Sequence, residues 1–167
     1  MRIETPKLWL PRTGQTTSYA DGDDGFYQAG NPRATRFVDN LNGTVSDRAT
    51  GLMRVKSSVA MGAPFDAGMT WADAMSNLIT LNAGAGYAGY NDWRIPNLFE
   101  GLTIADHSSG SVPPPFVAYG GLHWCSTSID AYYAYVYYEY HYSYIAYTSA
   151  KTGSRPVRPV RGGRINA

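Results

Sequence analysis

The chain has 167 residues, 44% hydrophobic and 16% charged, with a formal net charge of +1. That size and balance fit one ordinary domain with a real core and exclude a disordered chain. Near-neutral charge supplies no global field for nucleic acid or a membrane surface.

Residues 1–36 are polar and turn-rich, and Asp21-Gly22-Asp23-Asp24-Gly25 reads as a loop. Its three carboxylates suit a hard cation such as calcium, but the spacing is not that of an EF-hand, and a solvated acidic turn is the competing reading. Arg36-Phe37-Val38-Asp39-Asn40 reads as a strand, and Asn42-Gly43 is a hairpin signal. Thr44–Asp47 returns as the second strand and Thr50–Val55 as a third, making a small β-meander.

Thr70 opens the clearest helix, with Asp73 at the capping-box position. Trp71, Ala74, Met75, Leu78 and Leu81 recur at helical spacing, which predicts a core-facing stripe, and Gly84 and Gly86 end it. Asn97 and Glu100 predict a second capping box, with Leu98, Leu102 and Ala105 as its apolar stripe. Gly101 weakens that helix by about 1 kcal/mol. Residues 106–121, with prolines at 113–115, read as a loop, and Leu122–Ser128 reads as a strand.

Nine of the fourteen tyrosines fall between residues 132 and 147. Side chains alternate across a strand, so parity sorts them. Tyr133, Tyr135 and Tyr137 share one face, opposite Ala134, Val136 and Tyr138. Tyr140, Tyr142 and Tyr144 share another, opposite Ser143, Ile145 and Tyr147. The phase slips by one near Glu139, as a hairpin or a β-bulge produces. Ala134, Val136 and Ile145 look like core, so the six-tyrosine face is expected to turn outward or into a groove. Tyrosine offers large contact area, a hydroxyl and few rotatable bonds, which suits it to binding surfaces. Tyr133, Tyr135, Tyr137, Tyr140, Tyr142 and Tyr144 are the primary candidates for ligand contact. Tyr132, Tyr138, His141 and Tyr147 follow. The competing reading packs this face against another sheet or subunit; a third makes the run a β-aggregating segment.

These residues also resemble a family. Pro11–Thr17, Gly22–Gly25, Arg36–Asp47 and Thr50–Met53 are similar to the opening of the DUF1566, or Lcl C-terminal, domain of bacteria and phages. Thr70–Ala74, Asn91–Asn97, Trp124–Thr127 and Val157-Arg158-Pro159-Val160-Arg161 continue its order, so the resemblance spans residues 10–162. It implies an α+β architecture of C-type lectin fold, with two helices, a small mostly antiparallel sheet and a long irregular loop region. The family includes the variable proteins of diversity-generating retroelements, whose C-terminal stretch is rewritten at adenines; residues 130–155 have that look. Many members carry a cysteine in the first helix and another in the closing strand. Neither stands here, so the resemblance implies no shared disulfide. The Glu-Pro-Asn and Gln-Pro-Asp triplets of calcium-dependent sugar binders are also missing.

Cys125 is the single cysteine, so neither an intrachain disulfide nor the cysteine pair of formylglycine-generating enzymes is possible. It is expected to be a buried, inert thiol. His107, His123 and His141 are scattered, and no HExxH, CxxC or GxSxG motif occurs. Arg155, Arg158, Arg161 and Arg164 recur every third residue; they are read as solvated or salt-bridged strand arginines, with phosphate contact as the alternative. The N-terminal stretch lacks the apolar run of a signal peptide, and no stretch reaches transmembrane length. Placement on a virion or cell surface is therefore expected to come through assembly into a larger particle.

The expectation is a single domain over residues 1–167 that recognises a ligand or receptor through its tyrosine surface. No enzyme activity, cofactor, metal, nucleic acid or membrane insertion is expected. The alternative is an assembly domain whose tyrosine face packs on another subunit.

Overall fold

A computed structural model describes residues 10–105, 112–139 and 146–162. Its architecture is α+β, with small antiparallel sheets and few helices among the described residues. Strands β1 (Phe37–Asp39), β2 (Thr44–Asp47) and β3 (Leu52–Val55) form the expected meander. Strand β7 (Val160–Gly162) joins it from the far end of the sequence, giving the order β1-β2-β3-β7. The second sheet has the order β4-β5-β6, from Leu122–Ser128, Tyr133–Tyr138 and Ala146–Ala150.

The first hairpin differs in detail from the expected two-residue turn. Asn40 N donates to Thr44 O, so the tip is Leu41-Asn42-Gly43, with Leu41 at φ 59° and Gly43 at φ 87°. Glycine is required at position 43 for a second reason: a Cβ there would lie 2.2 Å from the Tyr87 hydroxyl. Thr50 also leaves the strand; its hydroxyl donates to the Asp47 carboxylate at 2.8 Å. In the acidic 21–25 segment, Asp23 caps a short helix, α1 (Asp24–Tyr27). Its carboxylate accepts from the amides of Tyr19 and Phe26 and from the Gln15 side chain, which engages it as a helix cap.

Helix α2 (Trp71–Ala83) starts where Thr70 predicts. The Thr70 hydroxyl oxygen accepts from Asp73 N at 3.2 Å and donates to the Asp73 carboxylate at 2.6 Å. Ala74 and Leu78 are buried, and Trp71, Met75 and Leu81 pack beside them, so the predicted stripe is the core face. Helix α3 (Leu98–Leu102) has the full capping box between Asn97 and Glu100. It ends before Ala105, at Thr103.

Two buried clusters lie on opposite faces of β5. The first gathers Val55, Phe65, Met69, Ala74, Leu78, Trp93, Ile95, Trp124, Ala134, Val136 and Val157. The second gathers Val45, Ile104, Val112, Phe116, Cys125 and Tyr137, with Leu98, Leu102 and Tyr135 against it. Three indoles tie the first cluster to the backbone: Trp71 donates to Cys125 O at 2.9 Å, Trp93 to Tyr87 O at 3.0 Å and Trp124 to Met69 O at 2.9 Å. Each ring buries its apolar body while satisfying its one donor. No helix among the described residues is long and apolar enough to cross a membrane.

Candidate functional site

The tyrosine segment resolves into a hairpin. Strands β5 and β6 pair antiparallel, with Tyr133 opposite Ala150 and Tyr137 opposite Ala146. The chain therefore reverses between Tyr138 and Ala146. A register shift does occur in this sheet, but on β4, between Trp124 and Ser128.

Parity sorts β5 as expected: Ala134 and Val136 enter the first core, and Tyr133, Tyr135 and Tyr137 share the other face. That other face is not uniformly open. Tyr133 is 46% exposed, Tyr135 is half-buried and Tyr137 is 0% exposed. The placement of Tyr137 on an open face is corrected by α3, which lies across this end of the strand. A Cβ on Gly101 would sit 2.7 Å from the Tyr137 ring, so the helix approaches closely because that residue has no side chain. Leu98 and Leu102 cover the neighbouring space beside Tyr135. Tyr137 thus presents no surface to a partner outside the fold. Tyr138 and Tyr147 are half-buried and meet edge to face, ring centroids 6.0 Å apart. Tyr140, His141, Tyr142 and Tyr144 lie outside the described residues, as do His107 and Arg164.

Among the described residues, the open part of the segment is the β4–β5 turn. Tyr132 is 75% exposed and Ile129 52%. The Asp130 carboxylate accepts from both Tyr132 N and Tyr133 N at 2.7 Å, which fixes the turn locally. Ile129 N donates to Tyr133 O at 3.0 Å, and Lys151 N to Tyr132 O at 2.8 Å. The Lys151 ammonium donates to Asp130 O at 2.9 Å and sits 4.2 Å from the centroid of the Trp71 ring. The turn is thereby tied to β6 and to the start of α2. Tyr132 and Tyr133 were among the sequence candidates; Asp130, an Asx-turn former between two strands, was the signal for the turn that presents them.

The root of the hairpin is a buried ionic hub, which sequence reading missed. Glu139 and Arg158 are both fully buried and paired through Nε–Oε1 and Nη2–Oε2. Arg158 also donates to Val55 O at 2.8 Å, Lys56 O at 2.6 Å and Val117 O at 2.7 Å, so all five of its N–H groups are used. Burial, the largest single influence, would raise the Glu139 carboxyl, but the charge and hydrogen bonds of Arg158 together with the other nearby groups hold it below its ordinary range. His123 Nε2 lies 3.5 Å from Glu139 Oε1. Burial pushes the His123 pKa down, against the pull of Glu139, so the ring is neutral near pH 7. The signal available in the sequence was the lone charge of Glu139 inside an apolar run.

The remaining candidates for chemistry are committed elsewhere. Cys125 is buried, and its thiol is pushed up to about 12 by desolvation, so almost no thiolate forms at neutral pH. Arg161 pairs with Asp92 at 2.5 Å and lies over the Tyr90 ring, 3.9 Å from its centroid. Arg158, buried and paired with Glu139, takes the salt-bridged alternative of the arginine reading. Among the described residues, no group of three or more His, Cys, Asp or Glu is placed to hold a metal ion. A separate groove of about 640 Å³ opens beside Arg12, Gln15, Gln28, Phe37 and Pro114. Among the described residues lining it, the cation Arg12 already donates to Gly30 O and to the Gln28 side chain.

No curated protein matches the chain. The family model of the Lcl C-terminal domain matches residues 43–161, well over half of the 167 residues, and the chain belongs to that family.

Proposed function

We propose that this protein recognises a ligand or receptor through the surface built around the β4–β5 turn and the adjoining tyrosine hairpin. In this reading the scaffold is of C-type lectin type. The hairpin corresponds to the rewritten region of a diversity-generating retroelement protein, displayed on a virion or cell surface. One observation carries the reading: Tyr132, Tyr133 and Ile129 stand exposed on a turn fixed by Asp130 and Lys151. A pre-ordered aromatic surface loses little conformational entropy on binding. Tyr135, Tyr138 and Tyr147, each half-buried, form the second tier of contacts. Tyr140, His141, Tyr142 and Tyr144 stay in the proposal on the strength of the sequence alone.

Binding rather than catalysis is proposed because the reactive side chains that are described are closed off. Cys125 and His123 are both buried. The exposed apolar turn also suits a contact between subunits, which is the alternative. Light scattering combined with tyrosine nitration separates the two. Recognition predicts a monomer in which Tyr132 and Tyr133 react and Tyr137 does not. A stable oligomer that protects Tyr132 overturns recognition in favour of assembly. A near-copy of codons 130–155 that differs only at adenines, beside a reverse-transcriptase gene, is the expected mark of diversification.

A further inference from the structure

Among the described residues, five side chains with a permanent or pairable charge are buried as ions: Arg36, Arg54 and Arg158 against Asp47 and Glu139. Arg36 and Asp47 form a two-pronged pair at 2.8 and 2.6 Å. Arg158 and Glu139 form the second pair. Arg54 is left over. It is 0% exposed, and its Nη2 donates to Glu100 O at 2.5 Å and Thr103 Oγ1 at 2.6 Å. Its Nε and Nη1 have no hydrogen-bond partner. Asp47, Glu100 and Glu139 act on this charge only from beyond hydrogen-bond contact; a guanidinium keeps its proton on burial, so an opposite charge in direct contact would stabilise it.

A second orphan donor lies in the same region, on Tyr137, near enough to act on the Arg54 charge. Arg54 is held on the carbonyl of Glu100, and the Tyr137 ring lies against the following residue, Gly101. The Tyr137 hydroxyl is buried without a partner. Burial pushes that phenol far up, so it keeps its proton and offers it as a donor. His123, opposite Tyr137 in the β4–β5 register with ring centroids 5.6 Å apart, closes the same region and is neutral, so it cancels nothing. Water would satisfy the donors and leave the charge.

We propose that a small monovalent anion of chloride size is bound inside the fold, held by Arg54 Nε and Nη1 and by the Tyr137 hydroxyl. It completes the charge balance of the core beneath the hairpin, as a structural ligand of the native state. The site is independent of whether the outer surface recognises a ligand or a second subunit.

The test uses the full chain and sodium chloride, with sodium gluconate at equal ionic strength as the reference. A ligand that binds only the native state raises Tm in proportion to the logarithm of its concentration once saturating. Wild type is expected to melt several degrees higher in chloride, with a continuing rise at higher concentration. Tyr137→Phe keeps the ring and removes one donor to a charged group, so its half-saturating chloride concentration should rise roughly tenfold or more. Arg54→Met should lose the chloride response; if it fails to fold, Tyr137→Phe carries the comparison. Crystals soaked in bromide should show anomalous density beside Arg54 Nε and Nη1. Bromide confined to surface sites, or water alone at Arg54, overturns the proposal. So does a chloride response that Tyr137→Phe leaves unchanged.

Discussion

Tyr133 and Tyr137 stand on the same face of the same strand, four residues apart, and meet opposite environments. Tyr133 lies beside a solvent-facing turn, whereas Tyr137 is sealed under α3 with Glu139 and Arg158 close by. The difference is made by what crosses the strand. A five-residue helix with a glycine at its contact point covers one end of β5 and leaves the other open. Strand periodicity tells which side chains share a face; it does not tell whether something is packed on that face.

The comparison breaks first at the buried end. Tyr137→Ala should cost about 3–5 kcal/mol, as large aromatic truncations in cores do, measured by urea denaturation. Glu139→Gln should cost a similar amount, about 3–5 kcal/mol, because it leaves Arg158 buried without its counter-charge. A loss below about 1 kcal/mol for either would mean that this end is as open as the turn. Gly101→Ala drives a methyl group into the Tyr137 ring and should cost about 1–3 kcal/mol, and a wild-type Tm for this variant would show that α3 does not press on the strand.

The pH dependence is smaller. Folded His123 is held below its ordinary value of 6.5, with burial as the first cause. The unfolded chain takes up a proton near 6.5 that the folded one refuses, so stability falls as pH drops through and below that value. The slope from this residue is at most about 1.4 kcal/mol per pH unit. Denaturation at pH 7.5 and 5.5 should show the loss, and His123→Gln should flatten it. Smallest of all, Tyr132→Ala should change stability by less than about 0.5 kcal/mol. A larger destabilisation would place Tyr132 in the scaffold instead of on the display surface.

Local signals in the sequence translated well where a single element decides the outcome. Thr70 and Asn97 marked their helix starts because a cap is a contact within one turn of chain. The strands at Thr44–Asp47 and Leu122–Ser128 were legible from pattern and flanking turns. Contacts across long sequence separations were not. Arg158 reaches Val55 and Lys56 from more than a hundred residues away, and nothing near it in the sequence announces them. Gly101 illustrates the same limit: read locally it only weakens a helix, and its use appears when Tyr137 is seen against it. The acidic 21–25 turn, read as solvated or cation-binding, turned out to hold a helix cap in Asp23, a use that depends on the fold of residues 15–19 around it.

Cys125, the sole thiol, stands on β4 beside the strand that carries Tyr135 and Tyr137 and faces the second core with Ile104, Val112 and Phe116. A maleimide or disulfide reagent in solution can reach it only when that layer parts. Its labelling rate is therefore an internal gauge of how often the second core opens beside the tyrosine strand, with no residue introduced for the purpose. Variants at Tyr132 and Tyr133 can each be compared on this one scale, since the thiol is buried away from both.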